Sequence, residues 1–175
     1  MPWRRTLALI RKREGLTAMS GRQGPPASPS PAHPPRESGR FDIGAIAASL
    51  PDTAETLLAD HYLTDRPEAS ARVFRVYRPV PPHYHATCHE YLYVFSGRGT
   101  FWMGDQSTEA EFAPGQLLFF SRQTVHAIPK LFEHPVVFLS VDTPRRDPLD
   151  VIFVNPEDGS PQTFMARNAG RKSGS

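Results

Sequence analysis

From Ala71 onward, apolar and polar positions alternate in short runs. Arg72-Val73-Phe74-Arg75-Val76-Tyr77-Arg78 is rich in β-branched and aromatic residues and predicts a strand. Similar runs follow at 91–95, 100–103, 109–112, 116–120, 124–128, 136–141 and 151–154. Gly97-Arg98-Gly99, Gly104-Asp105-Gln106 and Ala113-Pro114-Gly115 separate several of them, and such residues favour turns. About eight short strands at this spacing predict an all-β sandwich or barrel. Ahead of them, Asp42 precedes Ile43-Gly44-Ala45-Ile46-Ala47-Ala48-Ser49-Leu50-Pro51, which predicts a short helix capped by Asp42 and ended by Pro51. Residues 53–63 read equally well as helix or strand. No internal repeat is visible.

The chain has 175 residues, enough for one ordinary domain. Its 19 prolines are unevenly spread. Residues 20–40 combine six of them with Ser, Gly and Ala, a composition that buries too little apolar surface to offset the entropy of ordering. Residues 1–40 are therefore expected to be a disordered, Pro-rich basic extension, residues 41–165 the folded domain and residues 166–175 a flexible tail. Met19 is an alternative start. Residues 1–40 hold eight basic and two acidic residues, and 166–175 three basic ones. The remaining nine basic and sixteen acidic side chains give the domain a charge of −7, which offers no basic nucleic-acid face.

The one cysteine, Cys88, has no intrachain partner, so no disulfide staples the fold and a reducing compartment is natural. No apolar run approaches the length of a membrane span. The apolar stretch after Arg4-Arg5 stops at Arg11-Lys12-Arg13, too soon for an export signal. A cytoplasmic protein with no membrane partner is expected.

The chemistry concentrates in His83-Tyr84-His85-Ala86-Thr87-Cys88-His89-Glu90 and, further on, His126. Two histidines one residue apart share a face of an extended strand. Glu90 opens the next apolar run, and His126 lies in a later strand-like segment. Three imidazoles and one carboxylate suit a divalent transition metal and leave open positions on a six-coordinate ion. Fe(II), Mn(II), Ni(II) and Zn(II) all fit such donors.

The spacing His-x-His-x4-Glu-x6-Gly, filled by His83, His85, Glu90 and Gly97, resembles the first signature of the cupin superfamily. The second signature begins at Gly115, runs through Leu117-Leu118-Phe119-Phe120 and reaches His126. The resemblance implies a single jelly-roll β-barrel with His83, His85, Glu90 and His126 as metal ligands. Some positions depart from it. The usual glycine six residues before the first ligand is Tyr77, and the usual Pro, Gly and Asn of the second signature are Ser121, Gln123 and Lys130. The turn before His126 is thus expected to differ in shape.

Other candidates are weaker. His89 points away from the ion if Glu90 points in. Cys88 reads as a small buried side chain. Arg75 and Tyr77 share the parity of His83 and His85, so an unbroken register would place them in the cavity, facing an anionic substrate. Phe101, Trp102, Phe112, Phe119 and Phe120 read as core or interface residues. His33, His61 and His134 read as ordinary polar positions. No catalytic residue is assigned. By resemblance, the chain is a metal-dependent enzyme acting on a small oxygenated metabolite, with Fe(II) dioxygenase chemistry first and isomerase, decarboxylase or lyase chemistry as alternatives. A non-catalytic small-molecule-binding or sensing module is the competing class. A homodimer is expected, because small β-barrels often cover edge strands by pairing.

Overall fold

A computed structural model describes residues 38–164. The expected tail, and the expected extension up to residue 37, lie outside the described residues. Asp42 caps helix α1 (Ile43–Ser49) as anticipated, its Oδ1 accepting from the Ala45 amide at 2.9 Å. The chain returns to extended geometry at Leu50, just before Pro51.

Eight strands follow among the described residues: β1 (Leu58–Arg66), β2 (Ala69–Val76), β3 (Val80–Tyr84), β4 (His89–Met103), β5 (Asp105–Phe112), β6 (Leu117–Phe120), β7 (His126–Thr143) and β8 (Ile152–Phe153). The ambiguous stretch thus contributes a strand, β1, which pairs antiparallel with β2. Pairing overrides its mixed local propensity.

Two pairs of expected strands are single long ones. Residues 91–95 and 100–103 both belong to β4, and 124–128 and 136–141 both belong to β7. Gly97 does not turn the chain back; it bends β4 where it crosses β7. Its φ is +81°, and a Cβ there would lie 2.7 Å from Glu133 O, Pro135 O and Val136 Cα. Only glycine tolerates both the conformation and the approach. The pairing of β4 with β7 shifts register repeatedly between Val94 and Gly99, which is how bulges curve a sheet without ending it.

The bend lets the two long strands serve two layers. In one, β1, β2, the second half of β7, the first half of β4 and β6 lie side by side. In the other, β8, β3, the first half of β7, the second half of β4 and β5 do so. All pairings are antiparallel, and the shared strands fold the sheet over itself into a jelly-roll barrel. Phe74, Val76, Leu92, Val94, Phe112, Phe120, Val136 and Phe138 fill the space between the layers. Each such side chain contributes roughly 1.5–3 kcal/mol by leaving water. A second cluster, Leu50, Leu63, Val73 and Val137, lies under Ile43 and Ile46 of α1, on the other face of the first layer. Among the described residues, no helix is long and apolar enough to cross a membrane.

Candidate metal centre

β3 ends at Tyr84, so His83 is its penultimate residue and His85 lies just beyond. His83 pairs directly with His126, the first residue of β7, across the β3–β7 ladder. Glu90 is the second residue of β4, paired with Phe120 on one side and Asp142 on the other. Barrel closure brings all four together, and all four are buried.

The orientation of each imidazole is fixed by a backbone carbonyl. Nδ1 of His83 donates to Pro81 O at 2.9 Å, Nδ1 of His126 to Thr124 O at 2.9 Å, and Nδ1 of His85 to Asp150 O. A carbonyl oxygen only accepts, so each Nδ1 carries a hydrogen, and in the neutral ring the lone pair is on Nε2. The rings converge: the ligand atoms of His83, His85 and His126 lie within 4.8 Å of one another. Glu90 Oε2 is 3.5 Å from Nε2 of His85 and 3.4 Å from Nε2 of His126. Phe120 stacks on His126 at 4.1 Å and 7°, holding the ring flat.

In their neutral form, these nitrogens and the carboxylate oxygen they face repel one another. Nε2 of His85 and of His126 are buried and have no hydrogen-bond partner. Such a cluster calls for a cation among its atoms, and its donor set of imidazole nitrogens and one carboxylate is that of a divalent transition metal. The cluster is therefore compatible with a divalent metal site. Burial, reinforced by His126 and His85, holds His83 well below the ordinary imidazole value, keeping it neutral and able to coordinate. Burial alone would raise Glu90, but the charge and hydrogen bonds that His85 and His126 offer it when protonated pull its carboxyl well below the usual range.

The other oxygen of Glu90 answers to a residue that pattern reading passed over. Arg72 Nη2 donates to Glu90 Oε1 at 3.2 Å. Arg72 is 1% exposed and also meets Asp142 at 3.4 Å and Asp60 at 3.5 Å. Burial works against its charge, but Asp142, Tyr62, Glu90 and Asp60 outweigh that and hold the guanidinium above its ordinary value. The expectation for Arg75 and Tyr77 is corrected here. Arg75 pairs with Asp52 at 3.0 Å, and the Tyr77 hydroxyl donates to Pro51 O. The β3 pairing shifts register between Val80 and His83, so parity does not carry across the prolines. The inward row is Arg72, Phe74 and Val76, and an arginine in phase with Phe74 and Val76 was the available signal.

Asp150 was also missed. Its carboxylate accepts from the amides of Ala86 and Thr87 and from Thr87 Oγ1, while its carbonyl orients His85. It clamps the loop between β3 and β4. Cys88 lies in that loop, buried, its thiol pushed up to about 12 by burial and by Asp142. His85, Cys88 and Asp150 form a second close group, but Asp150 is already engaged by three donors. His89 faces outward, accepting from the Arg122 amide at 3.2 Å and stacking on Phe119. In the turn before His126, Gln123 takes the usual glycine's place with φ +66°, a glycine-like conformation, and its amide donates to His85 O.

A narrow pocket reaches the histidines, about 300 Å3 when the open solvent at its mouth is counted and about 20 Å3 of room for a water centre. Arg72, His83, Glu90 and His126 form its polar wall, and Leu58, Phe74, Val80, Leu92, Ile128 and Phe164 its apolar one.

Residues 75–142 match the cupin domain model, a span that contains all four converging side chains. An uncharacterized conserved protein with a double-stranded β-helix domain from Klebsiella pneumoniae is similar in structure, with 18% identity over 62% of this chain and 92% of that one and a TM-score of 0.52. A candidate mannose-6-phosphate isomerase from Ralstonia eutropha gives 18% identity over 61% and 98%, with a TM-score of 0.51. A Thermus thermophilus protein gives 19% over 61% and 97%, with a TM-score of 0.50. At these identities the likeness is one of fold. No curated protein matches the chain. Residues 75–142 are thus a cupin domain, set in a jelly-roll barrel.

Proposed function

We propose that this chain is a metal-dependent cupin enzyme acting on a small, largely apolar oxygenated metabolite, with Fe(II) dioxygenase-type chemistry as its reaction class. His83, His85, Glu90 and His126 are the residues that would hold the ion. The observation that carries the reading is the buried convergence of three imidazoles and one carboxylate beside a pocket whose remaining lining, Arg72 apart, is apolar. When bound, a divalent ion would supply Lewis acidity and, as Fe(II), the redox chemistry that dioxygen requires.

The chain's own residues fix the stage for it. The carbonyls of Pro81, Thr124 and Asp150 lock the three ring tautomers. Arg72 holds one oxygen of Glu90 and leaves the other facing the histidines. Leu58, Phe74, Val80, Leu92 and Ile128 exclude water and accept an apolar body. Among the described residues lining the pocket, the titratable groups are His83, Glu90, His126 and Arg72. An isomerase, decarboxylase or lyase calls for a positioned acid or base beyond the ligand set, so this lining favours oxygen chemistry. The exposed Tyr93, Phe95, Leu117 and Phe119 on neighbouring strands β4 and β6 support a homodimer as part of the same reading.

The test is oxygen uptake by Fe(II)-reconstituted protein across a panel of small aromatic and aliphatic hydroxy and keto compounds. Saturable uptake with one of them, lost in His126→Ala, supports the reading. Tight binding of a panel member without turnover favours the non-catalytic sensing module, for which the apolar lining speaks. No uptake and no binding contradicts both.

A further inference from the structure

The pocket is closed on one side by the last described element. Helix α2 (Pro161–Phe164) ends with Phe164, which is 4% exposed and lies against a candidate ligand: its ring centroid is 5.0 Å from His83 and 5.8 Å from Phe153. Phe164 lines the pocket together with the barrel residues Leu58 and Val80.

How this element is held differs from the rest of the site. A single helical turn has no stability of its own. The hydrogen bonds described for residues 156–164 run within the segment or to Asn155. Asp158 donates to Asn155 O, the amides of Thr163 and Phe164 donate to Ser160 O, and the Ser160 amide donates to Thr163 Oγ1. Among its described residues, Phe164 is the one fully buried side chain, while Gly159, Ser160 and Pro161 are half-buried. Gly159, with φ +149°, is the joint: a Cβ there would lie 2.8 Å from Thr163 Oγ1 and 3.2 Å from the Phe153 ring. A segment with one fully buried side chain behind a glycine opens far more readily than the strands beneath it.

We infer that residues 156–164 form a stopper whose Phe164 controls passage between solvent and His83, and thereby sets which small molecules reach the metal-binding side chains. This rests on the metal reading above. Opening carries Phe164 away from His83 and exposes the apolar wall. Closing excludes water and limits the ligand to what fits beneath the ring.

The experiment loads wild type, Phe164→Ala and Phe164→Leu with Co(II), whose visible spectrum reports coordination, and follows loss of the spectrum after excess EDTA. With unchanged starting spectra, Phe164→Ala should release the ion about tenfold faster or more, with Phe164→Leu between. Equal release rates in all three overturn the stopper. If Phe164→Ala does not fold by circular dichroism, Phe164→Leu against wild type decides by the same comparison. If wild type takes up no Co(II), the metal reading itself fails. The stopper is then judged in metal-free protein by the carbethoxylation rate of His83, which is faster in the variants if it exists and unchanged if it does not.

Discussion

Arg72 Nη2 and Glu90 Oε1 meet 3.2 Å apart inside the barrel, with the opposite oxygen of Glu90 turned toward His85 and His126. One side chain thus belongs to two systems, a buried charge cluster of Arg72, Asp60 and Asp142 and the histidine cluster.

Removing Arg72 therefore does more than delete a contact. Arg72→Met leaves Glu90 buried and half-buried Asp60 without this guanidinium, with Arg146 still facing Asp142, and breaking such a cluster from one side costs about 3–5 kcal/mol. Urea unfolding of metal-free protein should show a loss of that size for Arg72→Met and a smaller one for Arg72→Lys, which keeps the charge but not the planar fork. A change under 1 kcal/mol for Arg72→Met would show that the cluster relaxes into water.

This cluster also marks where sequence reading stops. The histidine spacing, Glu90 and the strand runs are local signals; His83, Glu90 and His126 lie in β3, β4 and β7, while His85 falls just past the end of β3. Gly97 was read as a turn because a glycine pair beside an arginine resembles one; only the approach of Glu133, Pro135 and Val136 shows that it is a bend. Arg72, Asp60 and Asp142 come from three strands, and no local pattern says that they meet. Arg75 was placed in the cavity by parity, which fails across the irregular pairing of β3. Phe164 stands far from the signatures in sequence and reaches His83 only through the path of the chain after β8.

Asp150 gives a pH signature. Burial pushes its carboxyl up, but Thr87 Oγ1 and the amides of Ala86 and Thr87 pull it below the ordinary carboxylate value. A depressed folded value means stability that is present above the unfolded value, about 3.9, and lost as pH falls through the folded one. Asp150→Asn should be less stable than wild type by about 1–2 kcal/mol near pH 7, with the gap closing below about pH 4. Thermal unfolding of both proteins from pH 3 to 7 measures it. A gap that persists unchanged to pH 3 would assign the loss to shape and not to charge.

Cys88 should be inert in the folded protein. A thiol pushed up to about 12 holds almost no thiolate at pH 8, and the thiolate is the reactive form. An aromatic disulfide reagent at pH 8 should label it only as fast as the protein unfolds, and at once in 6 M guanidinium. Prompt labelling of native protein would mean that the loop between β3 and β4 is open.

The four converging side chains carry the metal reading, and metal content measures their convergence most directly. Wild type, His83→Ala and His126→Ala, each purified, reconstituted with Fe(II), Mn(II), Ni(II) or Zn(II) and desalted, should be compared by elemental analysis. One ion per chain in wild type and well under a tenth of that in either variant is the predicted result. Equal, stoichiometric metal in all three, or none in any, would contradict it.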